Sequence, residues 1–228
     1  MPRLKSTLVD DIFNDILHKI NRYVYVAGDV ISEANIANEM NVSRTPVREA
    51  ILKLIDVGLL TRNKSKIIVK PLNYHDINEI LDTRLALEIM SARTIHARGG
   101  ITEEELGYLY ELHNNMKIAF AQSQPENSFE NDAIFHFTII KYSGNSRLID
   151  FSHRLILQSE RFRQVTTLTP ARYAITINEH SQILTAFKEN NLNDMIDSLL
   201  IHTSNSKENY ASILNNDMWL RMMKTLKV

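Results

Sequence analysis

Residues 32–58 read SEANIANEMNVSRTPVREAILKLIDVG, and this stretch decides the architecture of the N-terminal third of the chain. Ile36, Ala37 and Met40 form one face of a short helix, and Asn41-Val42 makes a tight turn. Ser43 is placed as the N-cap of a second helix, since its hydroxyl can accept from an orphan first-turn N–H. In that second helix Val47, Ala50, Ile51 and Leu54 recur at core spacing, while Arg44, Thr45 and Arg48 fall on the opposite side, toward its start. Pro46 is tolerated there because first-turn N–H groups have no intrahelical partner. Two helices joined by a tight turn, with arginines on the first turns of the second, describe an element that enters the DNA major groove, where arginine pairs with guanine O6 and N7. The same spacing also describes an ordinary amphipathic helix with solvated arginines, and spacing alone does not separate the two.

Working outward, Leu8, Ile12, Ile16 and Ile20 mark a preceding helix over about 6–22, followed by an irregular YVYVAGD link. The short helix spans about 32–40 and the next about 44–57, stopping at Gly58. Two β-rich stretches follow, Leu59–Arg62 and Lys66–Lys70, and Pro71-Leu72-Asn73 reads as a linker. Six helices are predicted beyond it, at 74–98, 102–122, 125–143, 145–167, 171–190 and 192–226. Their joints fall at Gly99-Gly100, Gln124-Pro125, Gly144-Asn145 and Thr169-Pro170. Only 6 glycines in 228 residues argues against an all-β fold, which needs many turns. The fold expected is mainly α: three helices and a small β-hairpin over 1–71, then an antiparallel all-α six-helix bundle over 72–228.

Composition narrows the function classes. The absence of cysteine removes disulfide frameworks and thiolate metal sites. No apolar leader and no run near 18 uncharged apolar residues is present, so a cytoplasmic protein without membrane contact is expected. Residues 1–70 carry 11 Lys+Arg against 8 Asp+Glu, a charge of +3. The remainder carries 15 against 19, a charge of −4. This is the asymmetry expected when only the N-terminal part meets phosphate.

The C-terminal part carries a second constellation. In FENDAIFHFTII, Asp132 and His136 are four apart, on a helical face that also holds Phe129, Ala133, Phe137 and Ile140. His180 lies on the Ile177/Leu184/Phe187 stripe, and His202 follows Met195 and Leu199. A single buried histidine is more often a satisfied core residue. Four such groups on inner faces are costly unless they pair or coordinate, and one carboxylate with three imidazoles suits zinc, nickel, manganese or iron. Arg84 and Glu88, four apart in DTRLALEIM, read as a surface ion pair on spacing alone. Three histidines also allow a metal-dependent hydrolase that activates water, or a helical adaptor with a structural metal. There is, however, no HExxH motif.

Ser43-Arg44-Thr45-Pro46-Val47-Arg48-Glu49-Ala50, with Leu54 and Gly58-Leu59-Leu60, resembles the recognition-helix signature of GntR-family regulators over about residues 8–71. The resemblance implies a winged helix-turn-helix in which Ser43, Arg44, Thr45, Pro46 and Arg48 lie at operator DNA. The wing turn, Arg62 to Lys66, lacks the family's usual glycine, so Lys64 and Lys66 are expected to contact phosphates as point charges. Ala34 stands where some relatives carry an arginine. Asp132-x-x-Phe135-His136, Ser143-Gly144-Asn145, Glu179-His180 and His202 resemble the FCD domain, the effector module of the FadR subfamily, over about 75–205. That resemblance implies a divalent metal, zinc foremost, held by Asp132, His136, His180 and His202, with Arg84 facing the cavity to receive an effector carboxylate. The function implied is a homodimeric transcription regulator, a repressor rather than an enzyme, whose hold on double-stranded operator DNA is controlled by a small carboxylate metabolite.

Overall fold

The computed structural model describes residues 7–71, 73–122, 124–163 and 170–214. Two compact units divide between Asn73 and Tyr74.

The first unit opens with α1 (Leu8–Asn21), capped by Thr7 and Asp10 in a reciprocal capping box. Ile12, Ile16 and Ile20 of α1 are buried against Val47, Ala50, Ile51 and Leu54 of α3 (Arg44–Asp56). Leu8, expected on that stripe, is 49% exposed at the first residue of the helix. Between them α2 (Glu33–Glu39) starts at a capping Ser32 and ends in a turn that Asn41 closes at φ 53. The bond from Val42 N–H to the Ala37 carbonyl, 2.9 Å, completes that turn. Ser43 occupies the N-cap position of α3 with extended backbone, yet its hydroxyl makes no capping bond, which corrects the sequence reading. Gly58, at φ 79, closes α3 and turns the chain into the sheet, as a left-handed C-terminal residue should.

The sheet has three strands in the order β1-β3-β2, where β1 is Val30–Ile31, β2 Leu60–Asn63 and β3 Lys66–Val69. The sequence reading assigned Val30-Ile31, between the YVYVAGD link and the short helix, to no element, since two residues are too few to show a period of two. Cross-strand pairing, Val30 with Ile68 and Ile31 with Ile67, makes it a strand. Asn63 pairs with Lys66, leaving Lys64-Ser65 as the tip of the hairpin. Lys64 adopts φ 55 there, the left-handed conformation a glycine would supply at lower cost.

The second unit is helical among the described residues: α4 (Tyr74–Ala97), α5 (Glu103–Ala121), α6 (Pro125–Tyr142), α7 (Ser146–Arg163), α8 (Pro170–Glu189) and α9 (Leu192–Leu214). The expected helix ends at 164–167 and 215–226, Thr169 of one joint and Leu72 of the linker lie outside the described residues. Helix α6 is central, packing against α4, α5 and α7. This explains a second correction: Phe129 and Phe137 are only half-buried, while Phe135 and Ile139 are fully buried. A helix covered on several sides buries more than one stripe. Helices α8 and α9 pack together, and α4 packs along α9, so α4, α6, α8 and α9 meet around one polar centre.

Candidate functional site

In the first unit the side chains of Ser43, Arg44, Thr45 and Arg48 are exposed on the opening turns of α3, and Pro46 is half-buried. The apolar face of the same helix is fully buried, so the exposed face is held at a fixed angle by the core behind it. Arg48 is engaged: its Nε and Nη2 donate to the Glu33 carboxylate at 3.3 and 3.1 Å, tying α3 to the first turn of α2. Sequence reasoning passed over Glu33, fifteen positions away. Lys64 and Lys66 are exposed at the hairpin tip and on the first residue of β3. The Ser43–Arg48 surface and the lysines thus belong to one small folded unit, the first on a helix start and the second on a two-stranded projection.

In the second unit His136 (α6), His180 (α8) and His202 (α9) converge. One ring nitrogen from each lies within 4.8 Å of the others. All three residues are almost wholly buried. The Nδ1 of His136 hydrogen-bonds Glu88 at 2.6 Å, and the Nδ1 of His202 hydrogen-bonds Glu179 at 2.8 Å. Each carboxylate thereby accepts a hydrogen bond from Nδ1–H and leaves Nε2 as the lone-pair donor. His180 has no hydrogen bond at either ring nitrogen among the described residues. It is held instead by stacking on Phe135, with ring centroids 4.6 Å apart and planes 10° from parallel. Asp132 Oδ1 stands 3.4 Å from His180 Nε2 and 3.8 Å from His136 Nε2. Asp132 is 20% exposed at its side chain, at the edge of the cluster rather than fully buried as the sequence pattern implied.

Electrostatics reinforce this state. Burial, then the neighbouring His202, drives the His180 pKa well below its usual 6.5, keeping the ring neutral. Burial alone would raise the Glu179 pKa. Hydrogen bonds from His202, Arg172 and Asn205 outweigh it and hold the carboxyl at about 2. A neutral His180 ring with Nε2 beside the Asp132 carboxylate is in the state metal binding needs. Donor atoms around an ion with bonds of roughly 2.0–2.2 Å stand about 3–4 Å apart, so these residues fit a divalent metal after a small contraction.

Arg84 is not a surface ion-pair residue, as its spacing to Glu88 allowed. Its side chain is 12% exposed, Glu88 is fully buried, and Arg84 Nε lies 3.7 Å from Glu88 Oε1. Arg84, Asp132 and His202 line a cavity of about 70 Å³ with Arg172, Tyr173 and Ser128. Arg172 was missed in the sequence. It grips Glu179 with both Nη atoms at 2.7 and 2.8 Å. Its spacing of seven from Glu179, two helical turns, was the one available signal.

A helix-turn-helix unit with a β-hairpin, joined in one chain to a helical unit around a polar cavity, is the architecture of a DNA-binding regulator. Comparison with known proteins agrees. Residues 8–67 match the model for bacterial regulatory proteins of the gntR family, and residues 79–204 match the FCD domain. The chain belongs to the GntR family of transcriptional regulators, with an FCD domain as its C-terminal part. It is a DNA-binding regulator and not a metal-dependent hydrolase.

Similar proteins include the HTH-type transcriptional repressor RspR of Escherichia coli K12, 26% identical over 176 residues (77% of this chain, 75% of that one). Another is the HTH-type regulator YdhC of Bacillus subtilis, 25% identical over 208 residues (89% and 90%). The gluconate operon repressor of Bacillus licheniformis is 27% identical over 125 residues, 54% of this chain and 50% of its own length. Among solved structures, E. coli McbR/YncC superposes with a TM-score of 0.76 at 21% identity, covering 92% of this chain and all of that one. A GntR regulator from Rhodococcus sp. RHA1 gives 0.75 at 16% identity, covering 91% of this chain and 99% of that one. Among the described residues no helix is long and apolar enough to cross a membrane.

Proposed function

We propose that this protein is a homodimeric repressor whose operator binding is released by a small carboxylate at a metal site in its FCD domain. In this reading residues 1–71 are the DNA-binding domain and 72–228 the effector-binding and dimerisation domain. The carrying observation is the buried cluster of His136, His180 and His202 beside Asp132, at the edge of a cavity lined by His202, Asp132 and Arg84. Repression is supported by relatives that are themselves named repressors, such as RspR. A dimer follows from the small footprint of one recognition helix, since tight specific binding generally needs two half-sites.

Asp132, His136, His180 and His202 would hold the ion, zinc foremost, with nickel, manganese and iron as the other candidates for this donor set. The bound ion supplies a Lewis-acidic anchor for a carboxylate oxygen. Arg84 receives the acid through a planar fork of donors. Glu88 and Glu179 hold His136 and His202 by Nδ1. Ser43, Arg44, Thr45, Pro46 and Arg48 present the recognition surface, and Lys64 and Lys66 meet phosphates. Control follows from linkage: an acid favouring one arrangement of the dimer disfavours DNA to the same extent, and about 1–3 kcal/mol of coupling is typical.

The test is operator binding by the metal-loaded protein with a panel of small carboxylic acids, for wild type and Arg84→Ala. At least one acid should weaken wild-type binding, and Arg84→Ala should bind the operator normally while ignoring that acid. A panel without effect, or an Arg84→Ala protein that responds like wild type, refutes effector control through Arg84.

A further inference from the structure

A second, smaller cavity of about 20 Å³ lies between α4, α6 and α7. Leu81 and Arg84 of α4 line both it and the cavity of about 70 Å³ described above, so these two side chains form a wall that the spaces share. The linings differ in kind. The larger cavity carries charged and hydroxyl groups, among them Arg84, Asp132, Arg172 and Tyr173. The smaller is walled by Ile80, Ala133, Phe137, Ile140, Leu155 and Ile156. Ser152 and Ser159 also line it, but each gives its hydroxyl proton to a carbonyl of its own helix, Ile149 at 2.7 Å and Ile156 at 2.9 Å. His136 completes the lining, with its Nδ1 bonded to Glu88 at 2.6 Å.

Such a wall suits an apolar occupant better than water, which needs roughly two to four polar partners to be well held. At roughly 10–15 Å³ per water, the space admits about one or two non-hydrogen atoms. Ala133, Phe137 and Ile140 share one stripe of α6 by their spacing of four and three, and Ala133 is the smallest side chain on it. An arginine suits the shared wall, because its stem is apolar and its head is charged. Arg84 Nε makes no hydrogen bond among the described residues, and the side chain is 12% exposed.

We infer that the effector is an amphipathic acid: its carboxylate is held at Arg84 in the larger cavity, and a short unbranched alkyl end passes Leu81 into the smaller one. About two carbons of that end fill the smaller cavity, and Ala133 sets the length admitted. The inference rests on the carboxylate reading of Arg84 above and deepens it, by naming the class of acid and a residue that selects it.

The experiment is calorimetric titration of the Zn²⁺-loaded full chain with acetate, propionate, butyrate, pentanoate and hexanoate. Wild type should tighten about fourfold for each of two successive added carbons, the gain of burying one methylene, and then gain nothing or weaken. Ala133→Val places two more carbons in the cavity wall, so it should bind acetate as wild type does and lose the gain from the longer acids. Ile156→Ala enlarges the same space and should extend the gain to longer members, which keeps the test in force should Ala133→Val not fold. Affinity that is flat along the series, a gain that continues unbroken to hexanoate, or a gain that neither substitution moves overturns the inference. The Arg84 reading still stands in those cases if Arg84→Ala weakens every acid. Failure of wild type to take up Zn²⁺ or to bind any of the acids, or equal binding by Arg84→Ala, overturns that reading and the inference with it.

Discussion

Glu179 is the residue whose removal should cost the helical unit most for its size. Its carboxylate is 4% exposed and accepts from Arg172 Nη1 and Nη2 at 2.7 and 2.8 Å, His202 Nδ1 at 2.8 Å and Asn205 Nδ2 at 2.7 Å. Glu179→Ala takes the charged acceptor away from a guanidinium, an imidazole N–H and an amide in a largely buried place. Breaking one side of such a buried pair costs about 3–5 kcal/mol. The lowered pKa, caused by the same hydrogen bonds, gives a second figure. With the folded pKa near 2 and the ordinary value 4.5, this carboxyl contributes about 3 kcal/mol, at 1.36 kcal/mol per unit. The sign follows from the unfolded chain binding the proton more tightly. The contribution is complete above about pH 4.5 and is lost as pH falls from there toward 2. The assay is urea unfolding followed by far-UV circular dichroism, in chelator so that no metal contributes, at several pH values from 7 to 2.5. Wild type should lose stability below pH 4.5 more steeply than Glu179→Ala, which starts lower and converges on it. A Glu179→Ala protein within about 0.5 kcal/mol of wild type at pH 7, the range of ordinary surface changes, would refute the reasoning. So would two parallel acid profiles.

Other outcomes are expected. Replacing Lys64 and Lys66 together with alanine should weaken binding to all DNA alike and reduce the salt slope by about one unit per lost phosphate contact, read from anisotropy titrations at several salt concentrations. A change of base preference instead would show that the wing reads sequence. Zn²⁺ should raise the melting temperature, since any ligand of the folded state stabilises it by about 2.7 kcal/mol at a hundredfold excess over Kd. His180→Ala should abolish that rise, and identical curves with and without metal would remove the metal site. Glu33→Ala frees Arg48 from its ion pair without touching the core of α3, so melting should shift little, as for other exposed pairs. Operator affinity should change with it if Arg48 must be oriented, and an unchanged affinity would show that the pair is incidental.

The sequence was informative where one face of an element decides its fate. Val47, Ala50, Ile51 and Leu54 repeat at helical spacing because α3 buries a single stripe, and all four are buried as expected. Gly58, Gly99, Gly100 and Gly144 all sit at positive φ where helices end, which made the joints legible. The exposed face at the start of α3 was legible for the same reason, as the polar complement of a buried stripe. Reading failed where the determinant is tertiary. Strand β1 exists only because Val30 and Ile31 find β3. Helix α6 is covered on several sides, so its two aromatic residues best aligned with His136 by spacing are not its most buried ones. Arg84 and Glu88 show the limit most clearly. Four-residue spacing describes a solvated surface pair and a buried pair equally well, and only the packing of α4 against α6 and α9 places Glu88 on His136. The Arg172–Glu179–His202 arm joins two helices and could not be read from local periodicity.

The central claim is that the exposed start of α3 reads operator DNA, and Arg44 tests it most directly. Arg44 is exposed on the first residue of the helix, so Arg44→Ala should leave the fold intact. The measurement is anisotropy titration of wild type and Arg44→Ala against the DNA upstream of the protein's own coding region and against a scrambled duplex, at fixed salt. The account predicts that Arg44→Ala loses about 1–3 kcal/mol on the specific duplex, with a much smaller loss on the scrambled one. Equal affinity of the two proteins for the specific duplex, or an equal loss on both duplexes, would contradict it.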